Sequence, residues 1–119
     1  IVPLQCEFYA LEGLAHLFKT ITLIKKGLNK ELEILGVALT MYDKRNSLTS
    51  EVENDVRAHM QDKVFQTVIP RNVKLSEAPS HGLPAILYDY KSKGAQAYIA
   101  LAKEILGKML QPNTLKQAA

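Results

Sequence analysis

The sequence predicts an α/β fold built on a mostly parallel sheet flanked by helices. Three observations predict it. Short apolar runs alternate with helix-period stretches in the order strand, helix, strand, helix, strand, loop, helix, and that alternation signals parallel strands joined by right-handed crossovers. The central run, LEILGVALTMY at residues 32–42, is apolar on both alternating faces, which suits a strand covered from both sides. Polar segments follow the apolar runs, and in such sheets the loops after the strands share one edge, where ligands bind.

Each element follows from its residues. Residues 1–5 form a short apolar run with a proline inside, the end of a buried strand leaving a sheet. Leu11, Leu14, Phe18, Ile21 and Ile24 then recur at helical spacing, with Lys19, Lys25 and Lys26 off the stripe; Gly27 and Asn29 supply the stop. After the central strand, DKRNS at residues 43–47 is a polar loop. Leu48, Val52, Val56 and Met60 mark a second helix, with Ser47 or Ser50 as the expected cap and Glu51, Glu53 and Asp55 favouring its N-terminal dipole. VFQTVI at residues 64–69 is the third strand, ended by Pro70. Residues 71–94 are rich in loop formers and enclose a short apolar run at residues 85–88. The last helix begins near Ser92 or Lys93 and carries Tyr98, Ile99, Ala102, Ile105, Leu106 and Met109 on its face. Pro112 is expected to end it, which divides the chain into one domain at residues 1–112 and a flexible tail at 113–119.

Composition narrows the function classes. The 119 residues are 47% hydrophobic and 23% charged, as in a water-soluble globular domain. No apolar run approaches the roughly 18 residues of a membrane span, and no signal peptide opens the chain. The single cysteine, Cys6, precludes an internal disulfide framework and agrees with a reducing cytosol. His16, His59 and His81 lie far apart, with no metal-ligand spacing. The formal charge of +3 is mildly basic; where the basic residues sit matters more than their excess. The chain opens on Ile-Val-Pro-Leu-Gln, without an initiator methionine and inside what reads as a strand, so the expectation is a fragment.

Three segments are placed to carry chemistry. In TMYDKRN, residues 40–46, Asp43 can accept hydrogen bonds from a base or ribose while Lys44 and Arg45 can meet phosphates; the alternative is a solvated loop whose Asp starts a turn. In VIPRNVKLSEAPSHG, residues 68–82, Arg71 and Lys74 are basic and Asn72, Ser76, Ser80 and His81 add polar groups; the alternative is a long connection stiffened by prolines. In YDYKSKG, residues 88–94, a helix cap with solvated Lys91 and Lys93 competes with an anion site. The glycines are all isolated and no G-x-x-x-x-G-K-[ST] occurs. The clustered backbone N–H groups of a phosphate cradle are therefore not encoded here.

The strings VPLQCEFYALEGL (2–14), LGVALTMYDKRNSL (35–48), KVFQTVIPRNVKLSEAPSHGLP (63–84) and ILYDYKSKGAQAY (86–98) resemble the ParA/Soj family of partition ATPases, P-loop NTPases with a deviant phosphate loop. The resemblance covers nearly all of the chain to about residue 110. It implies the C-terminal half of a three-layer α/β/α fold, with the phosphate loop, the Mg-binding aspartates and the catalytic aspartate on a preceding segment. On that resemblance Thr40, Met41, Pro70, Arg71 and Asn72 line the adenine side of the pocket, with Asp43 a further candidate. Arg45 and Lys74 match DNA-binding positions, and Lys74 replaces a common Arg, keeping the charge but losing the bidentate fork. ATP and Mg2+ are implied for the full-length parent, an ATP hydrolase; no catalytic residue is assigned here, and neither ligand is expected to bind the fragment tightly. The implied partners are non-specific double-stranded DNA, a ParB-type protein and a second copy of the parent. The implied setting is chromosome or plasmid partitioning in the nucleoid-associated bacterial cytoplasm. One departure is Asp89-Tyr90 where the family usually has Asp-Pro, which predicts a looser turn. The alternatives are a membrane-associated regulator like the MinD proteins and a stand-alone interaction domain. The first is disfavoured because the last helix needs its apolar side for the core, and because Lys103, Glu104 and Lys108 do not form a strongly basic face.

Overall fold

In the computed structural model the backbone is described for residues 1–118 and the side chains for residues 1–111. Strand β1 (Val2–Gln5) leads into helix α1 (Ala10–Gly27), strand β2 (Val37–Thr40) and helix α2 (Ser47–Met60). A 3-10 turn at Gln61–Lys63 precedes an extended segment. Helix α3 (Val73–Glu77), a 3-10 turn at Ala78–His81, helix α4 (Ala85–Tyr88) and helix α5 (Lys93–Ala118) complete the order. The strands β1 and β2 pair in parallel with Val2 opposite Val37 and Gln5 opposite Thr40. The expected α/β class with a parallel sheet is the observed one.

Alternation along the strands builds two cores. Val2 and Leu4 of β1, with Val37 and Leu39 of β2, face Leu14 of α1 and Val52 and Val56 of α2. Ala38 points the other way and packs with Phe65, Ile69 and Leu101 of α5. The sheet is thus a middle layer with α1 and α2 on one face and α5 on the other, because period-two side chains on a strand supply both faces.

Two strand expectations are corrected. The strand expected at residues 32–42 is shortened to Val37–Thr40, because its partner β1 spans only four residues. The strand expected at residues 64–69 is broken: it makes one parallel bridge to β2, at Val37–Val64, and a second bridge, Tyr42–Pro70, joins the chain just beyond each. The Phe65 N–H donates to the Val37 carbonyl at 2.9 Å and the Ile69 N–H to the Leu39 carbonyl at 2.8 Å. Four steps along this segment therefore match two steps along β2, and the surplus residues bulge. The Glu104 carboxylate of α5 supports the bulge, accepting from the Gln66 N–H at 2.7 Å and the Thr67 N–H at 2.8 Å.

Smaller differences have local causes. The α2 cap is Asn46, whose side chain accepts from the Leu48 N–H, rather than Ser47 or Ser50. Ser92 caps α5 as expected, its Oγ accepting from the Ala95 N–H. The turn at Asp89-Tyr90 is closed by the Ser92 Oγ on the Asp89 carbonyl and the Gln96 Nε2 on the Tyr90 carbonyl, so side chains do the work expected of the missing proline. Helix α5 runs to Ala118, past Pro112, where the sequence predicts its end, although an interior proline removes one backbone hydrogen bond and crowds the preceding turn. The tail expected at 113–119 falls outside the residues described to side-chain level.

Two expectations test this architecture. Burial pushes the Glu104 carboxyl up, but the backbone bonds from Thr67 and Gln66 outweigh it and hold the group below its ordinary value. Its stabilising contribution is therefore complete above about pH 4.3, the ordinary glutamate value, and is lost as pH falls through the lower folded value. Glu104→Ala should cost about 1 kcal/mol by removing the acceptor of the part-buried Thr67 N–H and the exposed Gln66 N–H. In urea unfolding, Glu104→Gln should lose less stability than the wild type between about pH 6 and about pH 3. At Gly36 a Cβ would lie 2.5 Å from Phe65 Cζ and 3.0 Å from the Lys63 carbonyl. Because Phe65 is fully buried, Gly36→Ala should destabilise by about 1–3 kcal/mol in the same assay.

Candidate functional site

The ends of β1, β2 and the bulged segment converge on one edge of the sheet, and their exits form an open groove of about 560 Å3. Thr40 and Met41 enter it from β2, and Pro70, Arg71 and Asn72 from the segment beyond the bulge. Five of the six residues expected on the adenine side therefore line one groove, from two walls. Met41 has φ of 53°, a left-handed backbone that costs a non-glycine residue about 1–2 kcal/mol. Such strain clusters at ligand sites. Directly after it, Tyr42 rejoins the neighbouring segment: its N–H donates to the Ile69 carbonyl at 3.0 Å, and its carbonyl accepts from the Arg71 N–H at 2.9 Å. The two walls are thereby fixed to each other by backbone.

Asn72 is partly committed. Its side-chain oxygen caps α3 by accepting from the Lys74 N–H at 3.1 Å, which leaves its NH2 group available as a donor. Gly94 lets α5 come close to α3, since a Cβ there would lie 2.5 Å from Leu75 Cγ; Leu75 and Tyr98 also line the groove.

Asp43 lies outside this groove. It lines an adjoining cavity of about 660 Å3 with Lys44, Arg45 and Lys93, and Pro70 and Arg71 border both spaces. Asp43 Oδ1 accepts from the Arg45 backbone N–H at 3.1 Å and from Arg45 Nε at 3.2 Å. The Arg45 side-chain bond, then its backbone bond, hold the Asp43 carboxyl below the ordinary range. Asp43 is thus a turn former that also orients Arg45, whose side chain is 91% exposed. Lys74 borders neither space; its Nζ lies 3.5 Å from Glu77 Oε2.

Behind the groove, a part-buried network braces the exit of β2. The Tyr42 hydroxyl donates to Glu53 Oε1 at 2.8 Å, and Arg57 meets Glu53 Oε2 through Nε and Nη2, each at 3.0 Å. The Glu53 bond pushes the Tyr42 phenol up. Burial, then the Glu53 charge, push the Cys6 thiol up to about 11 against the pull of Arg57. Cys6 is therefore a neutral core thiol.

Pro3 and Tyr98 also line the groove and were not expected there, while Ser76, expected only as a polar group of the long connection, lines it too. Pro3 was legible from strand alternation, since Val2 and Leu4 take the core face. Tyr98 was not, because helical period set it on the apolar stripe although 45% of it is exposed. The arrangement suits binding: apolar faces at Met41 and Pro70, polar backbone between them, and cations beside them. Among the described residues no three metal-ligating side chains converge, and no helix is long and apolar enough to cross a membrane.

Comparison with known proteins gives this geometry a context. The chain is 60% identical over 107 residues to the chromosome partitioning protein ParA of Caulobacter vibrioides, covering 90% of this chain and 40% of the relative. It is 56% identical over 105 residues to the sporulation initiation inhibitor protein Soj of Bacillus subtilis, covering 88% and 42%. It is 49% identical over 109 residues to the chromosome-partitioning ATPase Soj of Thermus thermophilus, covering 92% and 44%. The chain thus spans about two-fifths of the length of these relatives. The family described as the CobQ/CobB/MinD/ParA nucleotide binding domain matches residues 6–85, a stretch that contains every strand exit and the whole Met41–Asn72 wall. With more than half of its length matched, the chain belongs to the CobQ/CobB/MinD/ParA nucleotide-binding domain family.

Proposed function

We propose that this chain is the base-side part of a partition ATPase of the ParA/Soj type, acting in chromosome or plasmid segregation. The observation that carries the reading is the groove in which a strained Met41 faces Pro70, Arg71 and Asn72 across backbone-fixed walls, in a chain of a nucleotide-binding family. Met41 and Pro70 suit the faces of an adenine ring, and the backbone around Pro70 suits its edge. Thr40, Arg71 and the free NH2 group of Asn72 add polar positions. Asp43, in the neighbouring cavity, acts in this reading through Arg45 rather than on the base.

ATP brings the transferable phosphoryl group and Mg2+ its charge neutralisation. This chain has no glycine-rich cradle for the phosphates, so both are assigned to a segment outside it. Residues of this chain hold the base and present cations beside it. Arg45, exposed and oriented by Asp43, and Lys74 are the proposed contacts to the DNA backbone. A second copy of the full-length protein and a ParB-type protein are the further partners of this reading, with the nucleoid its location.

Two measurements on the full-length protein test it. Met41→Ala should weaken ATP binding about two- to tenfold, the range of a sulfur–aromatic packing loss. Unchanged ATP affinity would remove Met41 from the pocket. Arg45→Ala and Lys74→Ala should each weaken binding to any duplex sequence and lower the slope of log affinity against log salt by about one, while ATP affinity stays the same. If duplex binding is unaffected by both, the DNA assignment is wrong.

A further inference from the structure

Both proposed DNA contacts have an acidic neighbour, but the two acids differ in what else they do. Asp43 closes a turn, taking the Arg45 backbone N–H on the same oxygen that meets its side chain. The Glu77 carboxylate has no backbone partner among the described residues. Its Oε2 accepts from the Tyr88 hydroxyl at 2.7 Å and lies 3.5 Å from Lys74 Nζ. Tyr88 is itself held, stacked on His81 with ring centroids 4.8 Å apart and planes 23° from parallel. Lys74 Nζ sits 5.8 Å from the centroid of the Tyr88 ring. The cluster spans α3, the turn after it and α4, and it draws the Lys74 ammonium toward the protein. The pair is part-exposed, 45% at Lys74 and 39% at Glu77, so a phosphate can reach the ammonium.

We propose that Glu77 is a built-in competitor for Lys74, its hold moderated by the Tyr88 hydroxyl: a counter-ion that a nucleic-acid phosphate must displace, which lowers affinity and speeds release. The inference rests on the reading of Lys74 as a DNA contact. Physically it is an exchange of one oxyanion for another on the same ammonium. The Tyr88 hydroxyl controls its balance, because a donor on Oε2 draws off negative charge and weakens the hold of Glu77 on Lys74. The same bond, ahead of the nearby Lys74 charge, keeps the Glu77 carboxyl below its ordinary range and therefore ionised.

The test is a double-mutant cycle on the ATP-bound full-length protein with a short duplex at low salt. Glu77→Gln keeps the shape and an acceptor for Tyr88 while removing the charge. It should tighten duplex binding about two- to fivefold, the scale of an exposed ion pair, and slow dissociation. The gain should vanish in the Lys74→Ala background. Tyr88→Phe should act in the opposite sense, weakening binding by freeing the carboxylate for Lys74. If Lys74→Ala weakens binding but Glu77→Gln has no effect, or has the same effect in both backgrounds, the competitor is overturned and the DNA contact stands. A Tyr88→Phe variant that is inert, or that tightens binding, overturns the moderating role of Tyr88. If Lys74→Ala is itself without effect, the DNA reading at Lys74 falls and the competitor falls with it.

Discussion

The Glu104 carboxylate, reaching from α5 to the amides of Gln66 and Thr67, is the interaction on which the geometry of the groove depends. Without an acceptor there, the part-buried Thr67 N–H would lose its partner and the exposed Gln66 N–H would turn to water, and the tie between α5 and the bulge would be gone. With it, the segment after Phe65 steps away from β2, returns at Ile69 and delivers Pro70 and Arg71 beside Met41 and Tyr42. A regular strand over residues 64–69 would have advanced the chain by the surplus of the bulge and carried Pro70 past that position. The helix that covers the sheet thus also sets where the sheet ends, and so joins fold to site.

A second consequence concerns how the site is held. The groove wall is backbone bonded to backbone at Tyr42, while the side chain of Tyr42 runs back into the Glu53–Arg57 pair on α2. Helices on both faces of the sheet therefore bear on one strand exit, α2 through Tyr42 and α5 through Glu104. Met41 can keep a left-handed backbone at that point because its neighbours on each side are fixed. The cations, in contrast, sit on side chains with solvent around them, Arg45 on a turn and Lys74 on a short helix. Rigid walls suit recognition of a ring. In the proposed reading, exposed cations suit a polyanion whose phosphates carry charge but no sequence.

The family assignment and the geometry agree on the division of labour. The stretch that matches the nucleotide-binding family ends at residue 85, beyond all of the groove except Tyr98. α5 supplies the buttress: Leu101 in the second core, Glu104 on the bulge, and Lys108, whose Nζ lies over the Phe65 ring and donates to the Asp62 carbonyl. Those duties occupy the inward side of the helix, while Leu106, Met109 and Leu110 stay exposed on its other side.

Much of this was legible in the residues alone. Alternation of apolar runs with helical stripes set the α/β class, the parallel sense and the convergence of polar segments on one edge, because those follow from local period and chain connectivity. The strings around Met41 and Pro70 marked the wall of the groove. Other features depended on pairs far apart in the chain. The broken third strand needed Glu104, 37 residues from Thr67, so VFQTVI read as an ordinary strand. Asp43 turned out to orient Arg45 instead of facing the groove, because the turn it closes points it into the adjoining cavity. Tyr98 entered the groove because the crossing of α5 over the sheet, which no local pattern encodes, rotates that edge of its stripe outward. What the sequence by itself determined was which segments meet. What only the tertiary structure decided was the register in which they meet, because register is set by hydrogen bonds between distant residues.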